Sequence, residues 1–165
     1  MKKIGVEKLV INIGVGKSGE PIEKAKKALL ELTGQQPTVR GAKKTVRDFG
    51  IHKGEPIGAV VTMRREPAIE FLKRVLVAKK KVLKRSSFDD FGNISLGIHE
   101  HIDIPGTKYN PEIGIFGMDV NVTLSRPGYR IARKSRKSSK IGRHHRINRD
   151  EAVDFFRQEF EVEIE

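Results

Sequence analysis

The octapeptide Met118–Ser125, MDVNVTLS, alternates strictly between apolar and polar residues, and this pattern decides the fold class. Successive side chains of a β-strand point to opposite faces, so the octapeptide is predicted to form a strand with one apolar face. The opposite face carries Asp119, Asn121, Thr123 and Ser125. A polar face along a whole strand indicates an antiparallel sheet that is covered on one side only.

Two other stretches show the same alternation. Near the start, Leu9, Ile11 and Ile13 alternate with Lys8, Val10 and Asn12. From Ile94 to Ile104, the apolar Ile94, Leu96, Ile98, Ile102 and Ile104 alternate with the polar Asn93, Ser95, His99, His101 and Asp103. Both stretches are therefore predicted to be strands of the same half-buried kind.

Two helices are predicted from apolar spacing and punctuating residues. The first follows Ser18, a candidate N-cap, has Pro21 in its first turn and ends at Gly34. The second opens at Pro67, and its inward side is expected to carry Ile69, Leu72, Val75 or Leu76, and Leu83. Its C-terminal end is expected to carry Lys79, Lys80, Lys81, Lys84 and Arg85, which suit the helix dipole.

A third helix is predicted after Asn148 and Glu151, which have the spacing of a capping box. Its apolar stripe is Ala152, Phe155, Phe156 and Phe160. The closing run EFEVEIE is predicted to form either a short edge strand or a frayed tail.

A long hairpin is predicted between the first two helices. Its strands are Thr38–Val46 and Pro56–Met63, and its connecting loop is residues 47–54. Phe49 and Ile51 fall at the tip of this loop. Apolar residues there indicate either a tip that folds back onto the sheet or one that contacts RNA or protein.

Together these elements predict an α+β fold. An antiparallel sheet has helices packed on one face and an open polar face, in an RRM-like layer arrangement with a long hairpin loop and a basic extension. At 165 residues the chain is expected to form one domain, residues 1–165.

The basic extension, residues 126–149, is called the basic segment below. It holds ten Lys or Arg residues, two His and no acid. The whole chain has 33 basic and 21 acidic residues and a net charge of +12; without the segment, 23 basic and 21 acidic residues leave +2. Its apolar residues are too sparse for a helix face, so it is interpreted as an exposed arm. Nucleic acid is the favoured partner over an anionic membrane or a merely solvated surface.

Composition argues against several other classes. No apolar run reaches the roughly twenty residues that cross a bilayer, and Glu7 and Lys8 interrupt any signal-peptide core, so a cytoplasmic protein without membrane contact is expected. The chain has no cysteine, which removes disulfides, thiolate nucleophiles and Cys-based zinc sites. It has no Trp and few aromatic residues, which disfavours a site built on base stacking.

Motifs for catalysis or metal binding are weak. GVGKSG at Gly14–Gly19 resembles a phosphate-binding loop, but that motif requires a glycine at the position of Ile11. His99 and His101 share a predicted strand face, and His144 and His145 lie in the basic segment, but nothing fixes a metal-site geometry and no histidine pair has helical i, i+4 spacing. Contact with phosphate or 2′-hydroxyl groups explains the strand pair better. No cofactor, metal or catalytic residue is therefore expected, and a nucleotide-dependent enzyme is a minor alternative.

Five segments resemble one known family. They are VINIGVG at 10–16, KKTVRDFGIHKGEPIGAVVTMRREPAIEFLKRVL at 43–76, SSFDDFGNISLGIHEHIDIP at 86–105, GMDVNVTLSRPG at 117–128 and IARKSRKSSKIGRHHRINRDEAVDFF at 131–156. Over essentially its whole length the chain resembles the large-subunit ribosomal protein five family, the universal proteins that anchor 5S rRNA. The last segment resembles the archaeal and eukaryotic branch, and the compact length resembles the archaeal members.

The resemblance implies a structural, non-enzymatic RNA-binding protein of the large ribosomal subunit. It implies contact with 5S rRNA through the sheet face and first strand, with peptidyl-site tRNA through the hairpin loop, and a bridge to the small-subunit head. The expected partners are 5S rRNA, large-subunit rRNA, peptidyl-site tRNA, a small-subunit head protein and neighbouring ribosomal proteins. The alternative is a non-ribosomal architectural nucleic-acid-binding protein that uses the same charges.

The residues assigned to these contacts fall into four groups. The 5S rRNA group is Lys8, Asn12, Gly14, Gly16, Lys17, Asn93, Ser95, His99, Asn121 and Thr123. The tRNA group is Arg47, Asp48, Phe49, Gly50, Ile51, His52, Lys53 and Gly54, and the bridge group is Lys108, Tyr109, Asn110, Pro111, Ile115 and Phe116. The basic segment adds, on charge alone, Arg126, Arg130, Arg133, Lys134, Arg136, Lys137, Lys140, Arg143, His144, His145 and Arg146.

Overall fold

A computed structural model describes all residues from Met1 to Glu165, with three helices and seven strands. The helices are α1 (Glu20–Thr33), α2 (Glu66–Ala78) and α3 (Arg149–Phe160). The strands are β1 (Gly5–Gly14), β2 (Thr38–Gly41), β3 (Pro56–Met63), β4 (Val82–Leu83), β5 (Asn93–Ile98), β6 (Met118–Ser125) and β7 (Glu163–Ile164).

Five of the strands form one antiparallel sheet in the order β2-β3-β1-β6-β5, which confirms the α+β prediction. The remaining two, β4 and β7, form a separate parallel pair in which Val82 lies opposite Glu163 and Leu83 opposite Ile164. The C-terminal run is therefore a strand rather than a frayed tail.

The chain divides into two compact units. Unit 1 comprises residues 1–9, 64–95 and 121–165, and unit 2 comprises residues 10–63 and 96–120. In unit 1, the rings of Phe88 and Phe156 meet edge to face with 5.7 Å between their centroids, and both are buried. In unit 2, α1 packs on β3 and buries Ala25, Leu29 and Leu32. A single domain over residues 1–165 stays a prediction.

The alternating patterns are confirmed in β1 and β6. Leu9, Ile11 and Ile13 are fully buried in β1, while Asn12 between them is half-exposed. In β6 the buried residues are Met118, Val120, Val122 and Leu124. Strand periodicity is reliable here because one face packs against apolar side chains and the other does not.

The alternation predicted from Ile94 to Ile104 is wrong beyond Ile98. A short 3₁₀ turn at His101–Asp103 changes the phase, so the His101 side chain is 3% exposed instead of facing solvent. Its Nδ1 accepts a hydrogen bond from the Phe116 N–H at 3.2 Å. Ile102, predicted to face the core, is only half-buried. Exposed His99 and buried His101 therefore do not form a pair on one strand face.

Helix α1 ends as predicted but begins differently. Gly34 closes it in the left-handed region at φ 66°, and Pro21 lies in the first turn. Ser18 does not cap the helix, because its hydroxyl donates to Glu55 Oε1 at 2.7 Å and Gly19 takes the N-cap position. The prediction of a serine cap is wrong because a tertiary acceptor competes for the hydroxyl.

Helix α2 ends before the lysine cluster predicted to lie on it. Lys80 and Lys81 adopt positive φ angles of 55° and 56°, which break the helix. The chain then enters β4, where Leu83 is buried, so Leu83 does not belong to the helix stripe. On α2 itself Ile69 is half-buried, and the buried residues are Ala68, Phe71, Leu72, Val75 and Leu76.

Strand β2 is five residues shorter than predicted. Its pairing with β3 shifts register between Arg40 and Gly41, where a Cβ on Gly41 would lie 2.9 Å from the Gly54 carbonyl oxygen. Beyond this point single hydrogen bonds continue the hairpin, including Ala42 N–H to the Glu55 carbonyl at 2.8 Å. The regular β-ladder therefore ends at Gly41, where the two backbones approach each other closely.

Helix α3 has the predicted capping box. The Asn148 side chain accepts from the Glu151 N–H, and the Glu151 carboxylate accepts from the Asn148 N–H at 3.1 Å. Ala152, Phe156 and Phe160 are buried as expected, whereas Phe155 is half-buried. No helix of the protein has the length and apolar character needed to cross a membrane.

Candidate nucleic-acid interface

The basic segment is not a free arm, because it begins inside the fold. Arg126 continues the inward alternation of β6 by one residue and is only 9% exposed. Its guanidinium pairs with Glu151 Oε1 on α3 at 2.7 Å. Burial raises the pKa of the Glu151 carboxyl, but hydrogen bonds from Arg126 and from the Asn148 N–H outweigh it and hold that pKa below its ordinary value. The position of Arg126 therefore supports a structural role rather than contact with RNA.

The two ends of the basic segment are joined through Tyr129. Its hydroxyl accepts from the Ile147 N–H at 2.8 Å and donates to the His145 carbonyl at 3.2 Å. In addition, His145 Nε2 lies 2.9 Å from the Pro127 carbonyl oxygen. Residues 130–144 are consequently a loop with closed ends, called the cationic loop below.

Ile147 anchors this closure in the core. It is 0% exposed, and a Cβ on Gly92, which has φ 77°, would lie 2.7 Å from its Cγ2. The interpretation of the segment as an exposed arm is therefore wrong at Ile147. A single side chain can be buried when a neighbouring glycine leaves room for it.

The cationic loop presents its charges to solvent. Every residue from 131 to 140 is exposed. Six of the predicted Lys and Arg residues within the loop have no carboxylate partner: Arg130, Lys134, Arg136, Lys137, Lys140 and Arg143. Such unpaired cations are the groups that displace counterions from a nucleic acid.

One cation of the loop is held by the rest of unit 1. Arg133 forms a two-pronged ion pair with Glu7 on β1, with one N–O distance of 3.0 Å, and Arg64 approaches the same carboxylate at 3.9 Å. The hydrogen bonds from Arg133 lower the pKa of the Glu7 carboxyl below its ordinary value, although partial burial opposes this. Glu7 thus fixes the position of the loop and reduces the charge Arg133 can offer to RNA.

Glu7→Gln is expected to lower stability at neutral pH by about 1 kcal/mol, the scale of a charge-assisted hydrogen bond near the surface. Because the folded-state pKa of Glu7 is depressed, its contribution is present above the ordinary value of 4.5 and is lost as pH falls through the folded-state pKa. Urea midpoints measured from pH 7 to pH 3 should therefore converge for wild type and variant in acid. Glu31→Gln, at an exposed carboxylate on α1, is the control, and an equal loss there would remove the assignment.

A polar groove of about 450 Å³ lies within unit 2. Its polar lining is Asn12, His99 and Asp119, and its backbone lining includes Gly14, Gly97 and Gly117. A Cβ at Gly97 would meet only Asp119 Oδ1, at 3.9 Å, so the strand surface is bare there. Gly97, Gly117 and Asp119 were not among the predicted residues. Gly97 could have been identified from the sequence, because a glycine inside a strand often marks the close approach of another backbone.

The loop after β1 is built for a turn rather than for a triphosphate. The N–H groups of Val15 and Gly16 both donate to the Ile57 carbonyl at 2.9 Å, so they do not point at a ligand. Gly16 has φ 75°, which favours glycine, and Lys17 is exposed. These backbone N–H groups are therefore not available to bind phosphate, which argues against the minor alternative of a nucleotide-dependent enzyme.

The polar residues of the sheet face in unit 1 differ in availability. Ser95 donates to Asn121 Oδ1 at 2.8 Å, and Lys8 and Thr123 are half-exposed. The Asn93 amide instead donates to Asp89 Oδ2 at 2.6 Å and helps to fix the preceding turn. Asn93, Ser95 and Asn121 therefore already have side-chain partners within unit 1, and of the five residues only Ser95 is fully exposed.

The hairpin loop is an ordered finger with an exposed tip. Val46 and Ile51 exchange two backbone hydrogen bonds, and Arg47–Phe49 form a 3₁₀ turn between them. Phe49 is 76% exposed, so it does not fold back, while Ile51 is half-buried. At the base of the loop Glu55 accepts from the His52 N–H at 2.9 Å.

Residues 108–116 form a second exposed loop. Tyr109 is 57% exposed and Ile115 is 54% exposed, while Ile113 between them is buried and holds the loop to unit 2. Phe116 packs against His101 with 6.5 Å between ring centroids. Two large apolar side chains are thus exposed to solvent on a fixed loop.

The protein has no group of three His, Cys, Asp or Glu side chains arranged to hold a metal ion.

These surfaces define the class of protein: a small basic α+β protein whose bare strand face and cationic loop suit a polyanion. Comparison with known proteins is more specific. Residues 1–52 match the family model described as ribosomal protein L5, and residues 56–155 match the model that describes the C-terminus of the same ribosomal family. The chain belongs to the ribosomal protein L5 family.

Similar proteins come from archaea and match along nearly their whole length. The chain is 56% identical to the large ribosomal subunit protein uL5 of Cenarchaeum symbiosum, over 99% of this chain and 97% of that protein. It is 51% identical to the protein of the same name from Sulfolobus acidocaldarius, over 99% of this chain and 92% of that protein. It is 50% identical to the protein of that name from Pyrobaculum aerophilum, over 100% of this chain and 92% of that protein. The chain is thus a ribosomal structural constituent and not an enzyme.

Proposed function

We propose that the protein binds 5S rRNA and large-subunit rRNA as part of the large ribosomal subunit. The observation that carries this proposal is the bare polar groove of unit 2, in which Gly14 and Gly97 expose strand backbone beside Asn12 and His99. Folded RNA is recognised by shape, through phosphates and ribose 2′-hydroxyls, and this requires close approach to a polar surface. The Asp119 carboxylate would repel a phosphate but can accept a hydrogen bond from a 2′-hydroxyl or a base amino group.

The remaining affinity is proposed to come from the cationic loop. Its six unpaired Lys and Arg residues can neutralise phosphates without breaking an existing ion pair. Arg126 and Arg133 of the predicted set are engaged with Glu151 and Glu7, so they are left out of this proposed contact.

Two further contacts are proposed for the exposed loops. The finger at residues 47–54 contacts peptidyl-site tRNA through Phe49 and its cationic neighbours Arg47, His52 and Lys53. The loop at residues 108–116 contacts a protein of the small-subunit head, which suits the exposure of Tyr109 and Ile115. Exposed apolar side chains on fixed loops commonly mark interaction sites.

Gly97→Val is the test of the groove. It adds bulk to the bare face where a Cβ has space and φ is unrestricted, so the fold is expected to be unaffected. Affinity for 5S rRNA, measured by filter binding, is expected to fall about tenfold or more because the RNA backbone can no longer approach. Gly5→Val is the matched control: Gly5 is also a strand glycine with space for a Cβ, but it lies outside the groove.

Competition with duplex DNA separates the proposal from a general architectural protein. Wild type is expected to prefer 5S rRNA by about a thousandfold over DNA of equal phosphate number near 0.15 M salt. Equal competition by the DNA would contradict recognition of 5S rRNA, and equal effects of the two valine substitutions would remove the groove from the interface.

A further inference from the structure

A second concave site lies in unit 1, beside the cationic loop. It has a volume of about 310 Å³ and is lined by Phe91, Tyr129, Ala132, Lys140, Ile141 and Arg146. This volume is at the lower end of the range of small-molecule sites, about 300–1,000 Å³. The site is too small for a helix or strand and suits one planar group.

The two aromatic residues of this site are fixed at different points, Tyr129 through its hydroxyl and Phe91 through its backbone. Tyr129 has its hydroxyl fixed between the Ile147 N–H and the His145 carbonyl, so its ring cannot turn away. The Phe91 N–H donates to Asp89 Oδ1 at 2.9 Å within the turn before β5, yet the Phe91 side chain is 65% exposed. An exposed phenylalanine on a fixed turn has no packing role in the isolated protein and offers a free ring face.

The lining of the site is apolar and cationic. Lys140 and Arg146 are two of its six lining residues, and none of the six is acidic. Arg146 is oriented by a hydrogen bond from its Nε to the Ile141 carbonyl at 3.3 Å. Aromatic and aliphatic side chains together with two cations complement a nucleotide, because the base is flat and apolar on its faces and carries a phosphate alongside.

We propose that this site accepts a single unstacked nucleobase of RNA, which stacks on Phe91 and Tyr129 while its flanking phosphates meet Lys140 and Arg146. The inference rests on the proposed RNA binding and assigns a base-recognition pocket to a segment that otherwise acts through charge. The low aromatic content of the chain disfavoured base stacking, but two rings placed together by the fold are sufficient for one base. The two cations of the lining favour a nucleotide over an apolar side chain of a protein partner.

The test uses Phe91→Ala in the full chain with purified large-subunit rRNA. Loss of stacking is expected to weaken binding about tenfold at every salt concentration and to leave the salt slope unchanged, because no charge is removed. Lys140→Gln should instead reduce the magnitude of that slope by about 0.7–0.9. Leu30→Ala is the matched control, since Leu30 is an exposed apolar residue of α1 that lies outside every proposed contact surface. Phe91→Trp should retain binding, whereas Phe91→Leu should not.

The outcomes separate the pocket from the proposed function. If wild type binds the rRNA and Phe91→Ala binds it equally well, the pocket is not a base site although RNA binding stands. Equal weakening by Phe91→Ala and Leu30→Ala would also overturn the assignment of the pocket. Failure of wild type to bind any ribosomal RNA would remove both proposals. Fluorescence quenching of a single-stranded RNA with one 2-aminopurine, by wild type but not by Phe91→Ala, would support stacking directly.

Discussion

Replacing Lys134, Lys137 and Lys140 together by Gln is expected to reduce the magnitude of the slope of log affinity against log salt by about 2 to 3. All three lysines are exposed on the cationic loop and have no carboxylate partner. Each lysine that neutralises a phosphate releases condensed counterions, and this release contributes about 0.7–0.9 to the slope. The slope is measured by filter binding to large-subunit rRNA over a range of salt concentrations.

The matched control is the triple substitution of Lys27, Lys73 and Lys84 by Gln. These lysines are also exposed, but they lie outside the basic segment. Each triple removes three cations and lowers the formal net charge from +12 to +9. The control variant is expected to keep the wild-type slope of log affinity against log salt. If both triples change the slope equally, net charge alone explains the attraction and the cationic loop is not the contact surface.

Ile147→Ala is expected to destabilise the protein by about 2–5 kcal/mol, the range found when a large buried aliphatic side chain is truncated. Ile147 is fully buried, and Gly92 leaves no side chain that could fill the resulting space. With a urea dependence of about 1–3 kcal/mol per molar, the unfolding midpoint should fall by about 0.7 M or more. The midpoint is measured by equilibrium urea unfolding, monitored by circular dichroism.

Ile141→Ala provides the comparison within the same segment. Ile141 is half-buried at the nucleobase pocket, so its truncation is expected to cost less than about 1 kcal/mol. Similar midpoints for the two variants would contradict the anchoring of the basic segment through Ile147. A free, extended arm would tolerate both substitutions, because neither side chain would then be packed.

The sequence predicted well those elements whose pattern and packing depend on near neighbours. Alternation placed Leu9, Ile11 and Ile13 in the core, and the spacing of Asn148 and Glu151 identified the start of α3. Gly34 ended α1 because only glycine adopts the left-handed conformation without strain. In each case a few adjacent residues contain the whole physical cause.

Prediction failed where a distant partner decided the outcome. The Ser18 hydroxyl was expected at a helix terminus, but Glu55 accepts its hydrogen bond. His101 was expected in solvent, but a change of phase turned it inward toward the Phe116 N–H. Arg126 was assigned to RNA by charge, although β6 continues its inward alternation and presents it to Glu151. Composition records how many charges a segment has but not which of them are already paired.

Periodicity and composition act locally, and they are sufficient to predict the α+β class, the polar strand face and the density of charge in the basic segment. That this segment is a closed loop depends on long-range contacts. Its closure requires Tyr129 to meet the Ile147 N–H and Ile147 to pack on Gly92, and these are contacts between residues far apart in the chain. The same folding brings Phe91 beside Tyr129, 38 positions along the sequence, and so creates a pocket that no short stretch of sequence contains.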